Sequence, residues 1–253
     1  MKHILSILMV IWLFSSCANK KEILYLQDSE AYNNTVITYT TPKIQPNDIL
    51  KITVGALEAE SVIPYNRTAT GAGQGANLEI LQLEGYIVND DYSINFPELG
   101  DISTKDLTTM ELQSKIKILL QDGGQLRNPT VNVRLLNAKV TILGEVNQPG
   151  TFNFTEQNIT LLQALGYAGD LTINGKREDI LIMREADSLR QISHINLTSA
   201  ELLTSPFYHI KPNDVIVVNP NEPKVKSAGF VGNTGTLISV VSILLSTIIL
   251  ITR

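Results

Sequence analysis

The side chains that could do chemistry are few and widely separated. The chain holds one cysteine, Cys17, and three histidines, His3, His194 and His209. Cys17 has no second cysteine to oxidise with and no neighbours at metal-ligand spacing. It does stand directly after an apolar leader, where a thiol can carry a lipid. Hydrolysis of a glycosidic bond would need two carboxylates on opposite sides of that bond. The pairs on offer, Glu58 with Glu60 and Asp90 with Asp91, are sequence neighbours of the kind that solvate turns and strands. His194 and His209 stand alone in strand-like contexts, so neither a metal cluster nor a Ser-His-Asp arrangement can be assembled from them. The run Gly71-Ala72-Gly73-Gln74-Gly75 has no preceding strand and no following lysine, so it reads as a loop and not as a phosphate cradle. The expectation is no enzyme, no cofactor and no metal.

The leader itself is a targeting segment. Lys2 gives a short positive start, Ile4 to Phe14 is apolar except for Ser6, and Ser15-Ser16 supplies small residues before a cleavage point at Cys17. Phe14-Ser15-Ser16-Cys17 resembles a bacterial lipobox, with Phe14 where leucine is usual. Acyl chains on Cys17 would anchor the mature protein, each buried methylene contributing roughly 0.8 kcal/mol. Residues 1–16 are therefore read as a lipoprotein signal peptide and 17–40 as the lipidated N-terminus and a tether, polar from Gln27 to Tyr39. A net charge of −5, with no basic cluster longer than Lys20-Lys21, offers nothing to neutralise a phosphate backbone and excludes nucleic acid.

The opposite end is apolar too. No charged residue occurs from Ser227 to Thr252. Residues 236 to 252 taken as a helix span about 26 Å, short against a hydrocarbon core of about 30 Å and better suited to the thinner bacterial outer membrane. A helical wheel gathers Thr236, Ser239, Ser242 and Ser246 into a small, weakly polar stripe interrupted by Ile243 and Leu250. Leu237, Val241, Leu244 and Ile248 lie opposite. The stripe is expected to face a pore or an adjoining helix, because packed membrane helices use small residues and hydroxyls at their contacts. A plain single-pass anchor is the alternative.

Between the two ends lie two stretches of folded sequence. Ile44-Gln45-Pro46-Asn47-Asp48 runs into an apolar strand, and Ile210-Lys211-Pro212-Asn213-Asp214 repeats the pattern before Val215 to Val218. Proline fixes φ for such a turn and asparagine tolerates the left-handed conformation that follows. Tyr86 to Val88 and Tyr92 to Phe96 suggest a hairpin across Asn89-Asp90-Asp91. Thr108 and Glu111 have capping-box spacing before Leu112, Ile116, Leu119 and Leu120, a helix stopped by Gly123-Gly124. A strand from Val131 to Leu136 follows Asn128-Pro129-Thr130. In the second stretch Val140 to Phe152 reads as strand, turn and strand, with Gly144 and Pro149-Gly150 setting the geometry and Gly150 expected at positive φ. Thr160 to Ala168 is a short helix, and Ile180 to Arg184, Ile192 to Asn196 and Val215 to Val218 are strands.

These residues carry a resemblance. Ile44 to Ile52, with Tyr92 to Ile102, Leu107-Thr108 and Glu111-Leu112, resembles the polysaccharide biosynthesis/export domain. Val140 to Phe152, with Leu161 to Leu165 and Ala168 to Thr172, resembles the soluble-ligand-binding β-grasp (SLBB) domain. With the lipobox and terminal helix, the mature chain resembles outer-membrane polysaccharide export lipoproteins. Asn47, Asn213, Asp91 and Asp106 stand where that family often has glycine, and these are the residue types that best imitate glycine at positive φ.

The resemblance implies an α+β fold: an export domain over 41–137 and a β-grasp-like SLBB domain over 138–220, both small, β-rich and periplasmic. A linker and one C-terminal transmembrane helix would follow over 221–253. It implies a homo-oligomeric ring, with β-grasp domains touching neighbouring subunits, that exports a capsular or exopolysaccharide. The partner implied is an inner-membrane polysaccharide co-polymerase, often carrying a tyrosine kinase. Location would be the outer membrane, lipid-anchored, with the domains in the periplasm. The alternative is a periplasmic glycan-binding or scaffolding lipoprotein with a simple anchor and no pore.

Cys17→Ser should abolish incorporation of labelled fatty acid and leave the leader uncut. Label on the variant, or a mature N-terminus elsewhere by mass spectrometry, would refute the lipid assignment.

Overall fold

The computed structural model describes residues 20–32, 41–67, 78–186, 189–228 and 234–251. Cys17 and Gly71 to Gly75 lie outside them.

In the first domain, alternation of apolar and polar residues makes Ile49–Gly55 a strand, β1, that buries Leu50, Ile52 and Val54. The helix α1 (Leu78–Glu84) precedes β2 (Tyr86–Ile87), β3 (Ser93–Phe96) and β4 (Gly100–Ser103). The helix α2 (Thr109–Asp122) and the strand β5 (Thr130–Leu135) complete the domain. β1 pairs antiparallel with both β2 and β5, from Leu50 opposite Leu135 to Gly55 opposite Thr130. The helix α2 buries Leu112, Ile116 and Leu120, one residue per turn, against this sheet and the core residues Ile94, Phe96 and Ile102. Its N-terminus is the expected capping box: the Thr108 hydroxyl accepts from the Glu111 amide, and the Glu111 carboxylate accepts from the Thr108 amide at 2.8 Å.

The hairpin expected between Tyr86–Val88 and Tyr92–Phe96 is not formed. β2 pairs with β1 instead, and β3 pairs with β4 across a turn whose left-handed residues are Glu98 (φ 62°) and Gly100 (φ 69°). The Asn89-Asp90-Asp91 turn takes its positive φ at Tyr92 (61°), not at Asp91, while Asp106 (62°) does stand in for glycine.

The second domain contains β6 (Lys139–Gly144), β7 (Gly150–Asn153), β8 (Ile159–Thr160), α3 (Leu161–Tyr167), β9 (Gly175–Ala186) and β10 (Leu189–Ile195). β11 (His209–Ile210), β12 (Val215–Pro220) and the short helix α4 (Glu222–Ser227) follow. The sheet order is β10-β9-β12-β6-β7, with β12 parallel to β6 and antiparallel to β9. Closing a parallel pair requires a long crossover, and everything from β7 to β11 lies within it. The helix α3 starts on a second capping box, Thr160 with Gln163, and buries Leu161, Ala164 and Leu165 in a core with Val140, Ile142, Ile180, Ile182 and Ile216. The architecture is thus α+β in two domains.

The terminal segment expected to span a membrane forms a helix, α5 (Thr234–Ile251), of 18 residues. Its length of about 27 Å falls short of an average hydrocarbon core. Among the described residues no helix is long and apolar enough to cross a membrane.

Gly144, not Gly150, is the constrained glycine of the second domain. Gly144 has φ +91°, and a Cβ there would stand 2.1 Å from the Val218 carbonyl oxygen of the parallel neighbour β12. Gly150 lacks a positive φ, and a Cβ there meets nothing closer than the Phe152 ring at 3.8 Å. Gly144→Ala should therefore destabilise the fold by on the order of 3 kcal/mol, whereas Gly150→Ala should lie within about 0.5 kcal/mol of the parent. Urea unfolding followed by circular dichroism compares the two, and equal midpoints would contradict the close approach.

Candidate functional site

The repeated Pro-Asn-Asp turn is built alike in both domains. Asn47 and Asn213 both adopt φ 68°. The Asp48 carboxylate accepts from the Gln45 amide at 2.9 Å, and the Asp214 carboxylate accepts from the Lys211 amide at 2.8 Å. Each carboxylate thereby closes its own turn from the inside. The Asn47 amide donates to the Val88 carbonyl at 2.9 Å and the Asn213 amide to the Lys139 carbonyl at 2.7 Å, so each turn is pinned to a neighbouring segment as its strand begins. Pro46 and Pro212 open the two turns.

The copies differ in charge. Asp214 is buried and receives two hydrogen bonds from Arg184, Nε at 2.9 Å and Nη2 at 2.7 Å. Arg184 also donates to the Pro206 and His209 carbonyls and lies 4.7 Å from the centre of the Phe207 ring. Asp48 is equally buried but accepts from a backbone amide and from no cation among the described residues. Burial pushes its carboxyl up from 3.8 to about 6, against the pull of the Gln45 amide.

The first turn is also tied to the last residues of its own domain. Asn137 accepts from the Ile49 amide and donates to the Asn47 carbonyl, both at 2.9 Å. Gln82 donates to the Leu136 carbonyl, and Leu135 packs against both cores.

A second set of attachments gathers at residues 170–177 and 197–200 of the second domain. The stretch before the first domain, read from sequence as a tether, is docked here as a strap. The Tyr25 hydroxyl donates to Asp170 at 2.5 Å, and the Arg177 guanidinium lies 5.5 Å from the Tyr25 ring centre. The Leu26 and Gln27 amides donate to the Leu197 and Thr198 carbonyls at 3.1 and 2.8 Å. The Asp28 carboxylate accepts from the Ala200 amide and the Ser199 hydroxyl, and these bonds hold it below the usual carboxylate range. Ser29–Tyr32 adds one 3-10 turn. At the chain's exit, the Asn221 amide donates to the Asn174 carbonyl at 2.7 Å and its side chain to the Ile173 carbonyl at 3.3 Å.

The remaining candidates stay apart. Glu58, Glu60, Asp90 and Asp91 are exposed, and Asp91 accepts from the Ser93 amide and hydroxyl, which lowers its carboxyl's pKa. His194 does not stand alone: its Nδ1 lies 2.5 Å from Asp179, on an exposed strand. Along α5, Ser239 donates to the Gly235 carbonyl, Ser246 to the Ser242 carbonyl and Thr247 to the Ile243 carbonyl, each at 2.7 to 2.8 Å. Thr236 lies on the same helix.

Comparison with known proteins assigns the two domains. Residues 38–136 match the polysaccharide biosynthesis/export protein family, and residues 138–218 match the SLBB domain. A curated relative, the EPS I polysaccharide export outer membrane protein EpsA of Ralstonia solanacearum, is 26% identical over 198 residues, covering 74% of this chain. The chain spans 50% of that relative's length.

The contrast between the two turns makes a pH-dependent prediction. The folded pKa of Asp48 lies above its unfolded value. The carboxyl therefore costs nothing below 3.8 and destabilises the fold progressively as pH rises through 3.8 to about 6. Asp48→Asn should match the parent near the lower limit and exceed its stability at neutral pH, by up to about 2 to 3 kcal/mol. Parallel stability curves for parent and variant from acid to neutral pH would show that Asp48 does not titrate with folding.

Proposed function

The chain belongs to the outer-membrane polysaccharide export family, with an export domain followed by an SLBB domain, and from that premise we propose that it forms an oligomeric outer-membrane channel for a capsular or exopolysaccharide. In this reading Cys17 carries the lipid and the two domains form a periplasmic ring. The terminal helices assemble across the outer membrane, and an inner-membrane co-polymerase bearing a tyrosine kinase feeds polymer to the periplasmic mouth. The observation that carries it is the pair of domains, an export domain followed by an SLBB domain, in a chain similar to a relative named as an outer-membrane polysaccharide export protein. Apolar exposure supports assembly. Leu57 is fully exposed, Ile63 and Leu83 are largely so, and Leu189 and Ile192 stand open on the edge strand β10. Leu189 and Ile192 are the two that bear on assembly, because open strand edges invite pairing.

A helix of about 27 Å suits a thinner outer membrane with neighbours to share the mismatch. The second reading, a glycan-binding or scaffolding lipoprotein with one simple anchor, draws on the same helix. Hydroxyls already bonded to carbonyls one turn back need no partner helix. Oligomer size separates the two.

Detergent-extracted protein should elute from a sizing column as a large assembly, and elution as a single subunit would favour the scaffold. Within the assembly Ser242→Arg should be tolerated in a water-lined stripe. Val241→Arg, facing lipid, should cost roughly 2.5 to 3.5 kcal/mol and abolish both assembly and surface polysaccharide. Equal tolerance of the two would remove the reason for assigning a channel to this helix.

A further inference from the structure

Both ends of the described chain that lead toward proposed membrane anchors are held by the same short loop. Asp170 and Arg177 hold Tyr25 of the strap. Asn174 and Ile173, between them in sequence, hold Asn221 at the start of α4. The loop is itself stiffly supported: the Thr172 hydroxyl donates to the Glu145 carboxylate, the Thr172 amide to the Glu145 carbonyl, and the Asn147 side chain to the Gly169 carbonyl. Beyond the strap and beyond α4 few residues remain before each proposed anchor. Lys20 is three positions from Cys17, a reach of at most about 11 Å, and Ser227 is seven positions from Thr234, at most about 25 Å. Between the two exits the loop presents Ile173, 63% exposed, and the adjoining helix α4 presents Val225, 57% exposed.

We infer that the loop Asp170–Asn174, with the start of β9, is the membrane-facing pole of the second domain, with Ile173 and Val225 seated in the headgroup region of the leaflet that holds the acyl chains of Cys17. This rests on the lipid assignment made above. The strap acts as a brace. It carries the pull of the lipid into the second domain directly, so that the first domain, attached through residue 137, bears none of it. Small apolar side chains at an interface already crossed by two anchors gain contact area without further ordering of the chain. Lys176, Lys224 and Lys226 flank them, their stems able to lie along the boundary with their ammonium groups toward phosphate. Two of these lysines also have carboxylate partners, Lys176 with Asp179 and Lys226 with Glu222, so the contact is placed by anchoring and apolar burial and not by a net positive field.

The chain's one tryptophan, Trp12, lies in the leader, so the processed protein contains none. Ile173→Trp and, as a control in the first domain, Leu57→Trp each then create a sole tryptophan, excited apart from the tyrosines at the red edge. The full processed chain is reconstituted into phosphatidylethanolamine vesicles with and without brominated phosphatidylcholine, and its mass is measured alongside. The Ile173→Trp emission should lose at least half its intensity to brominated lipid while the Leu57→Trp emission is unchanged. Adding Tyr25→Phe and Asp28→Asn to the Ile173→Trp chain should leave the acyl mass intact and weaken the quenching several-fold. Unquenched emission from an acylated Ile173→Trp chain overturns the proposal, as does equal quenching at both positions or quenching indifferent to the strap. Emission that is blue-shifted, unquenched and dependent on protein concentration means that a second copy covers Ile173, which overturns it too. A mass retaining residues 1–16 refutes the lipid assignment itself, and that outcome is read independently of the fluorescence.

Discussion

Arg184 and Asp214 form a buried ion pair at the centre of the second domain, and much of the domain's arrangement is tied to it. A buried pair gains little over a well-packed apolar one, but removing either partner leaves an uncompensated charge in the interior, at about 3 to 5 kcal/mol. The guanidinium spends its other donors on the Pro206 and His209 carbonyls, which fixes the segment entering β11. β11 in turn pairs with β8, and the Tyr208 carbonyl accepts from the Leu161 amide at the start of α3. One side chain on β9 therefore sets the turn into β12, the short β8–β11 ladder and the first turn of the domain's helix.

That rigidity gives the second domain its place in the proposed function. The first domain runs straight into it after Asn137, the strap lies across it before the first domain begins, and the chain leaves it through Asn221. A subunit that must hold a ring together while anchored in a membrane needs one body to which every load is delivered. The first domain lacks an equivalent clamp, since its matching carboxylate, Asp48, is buried without a cation among the described residues.

Features decided by near neighbours were legible in the sequence. The Pro-Asn-Asp turns, the Thr108–Glu111 capping box, the apolar stripe of α2 and the alternation of β1 depend on residues within about one turn of each other, and the structure contains them as expected. Pairing choices were harder to read. Tyr86 to Val88 is adjacent in sequence to Tyr92 to Phe96, yet its strand is claimed by β1, because the fold offers a longer partner there. The strap was invisible, since Tyr25 and Asp28 find partners 145 and 172 residues away and no local pattern marks a docked tyrosine or aspartate. Gly144 and Gly150 looked alike in sequence, and only the passage of β12 beside β6 distinguishes them. The helical wheel gathers the hydroxyls of α5 by position alone, and it could not show that Ser239 and Ser246 bond back to their own helix.

If the second domain is the hub, loosening its clamp should free everything attached to it and little else. Hydrogen exchange read by mass spectrometry on Arg184→Met, compared with the parent, tests this most directly. The account requires faster exchange in residues 20–32, in 205–214 and along β12 together, with β1, β5 and α2 of the first domain unchanged. Faster exchange confined to 211–214, or spread evenly over both domains, would contradict it.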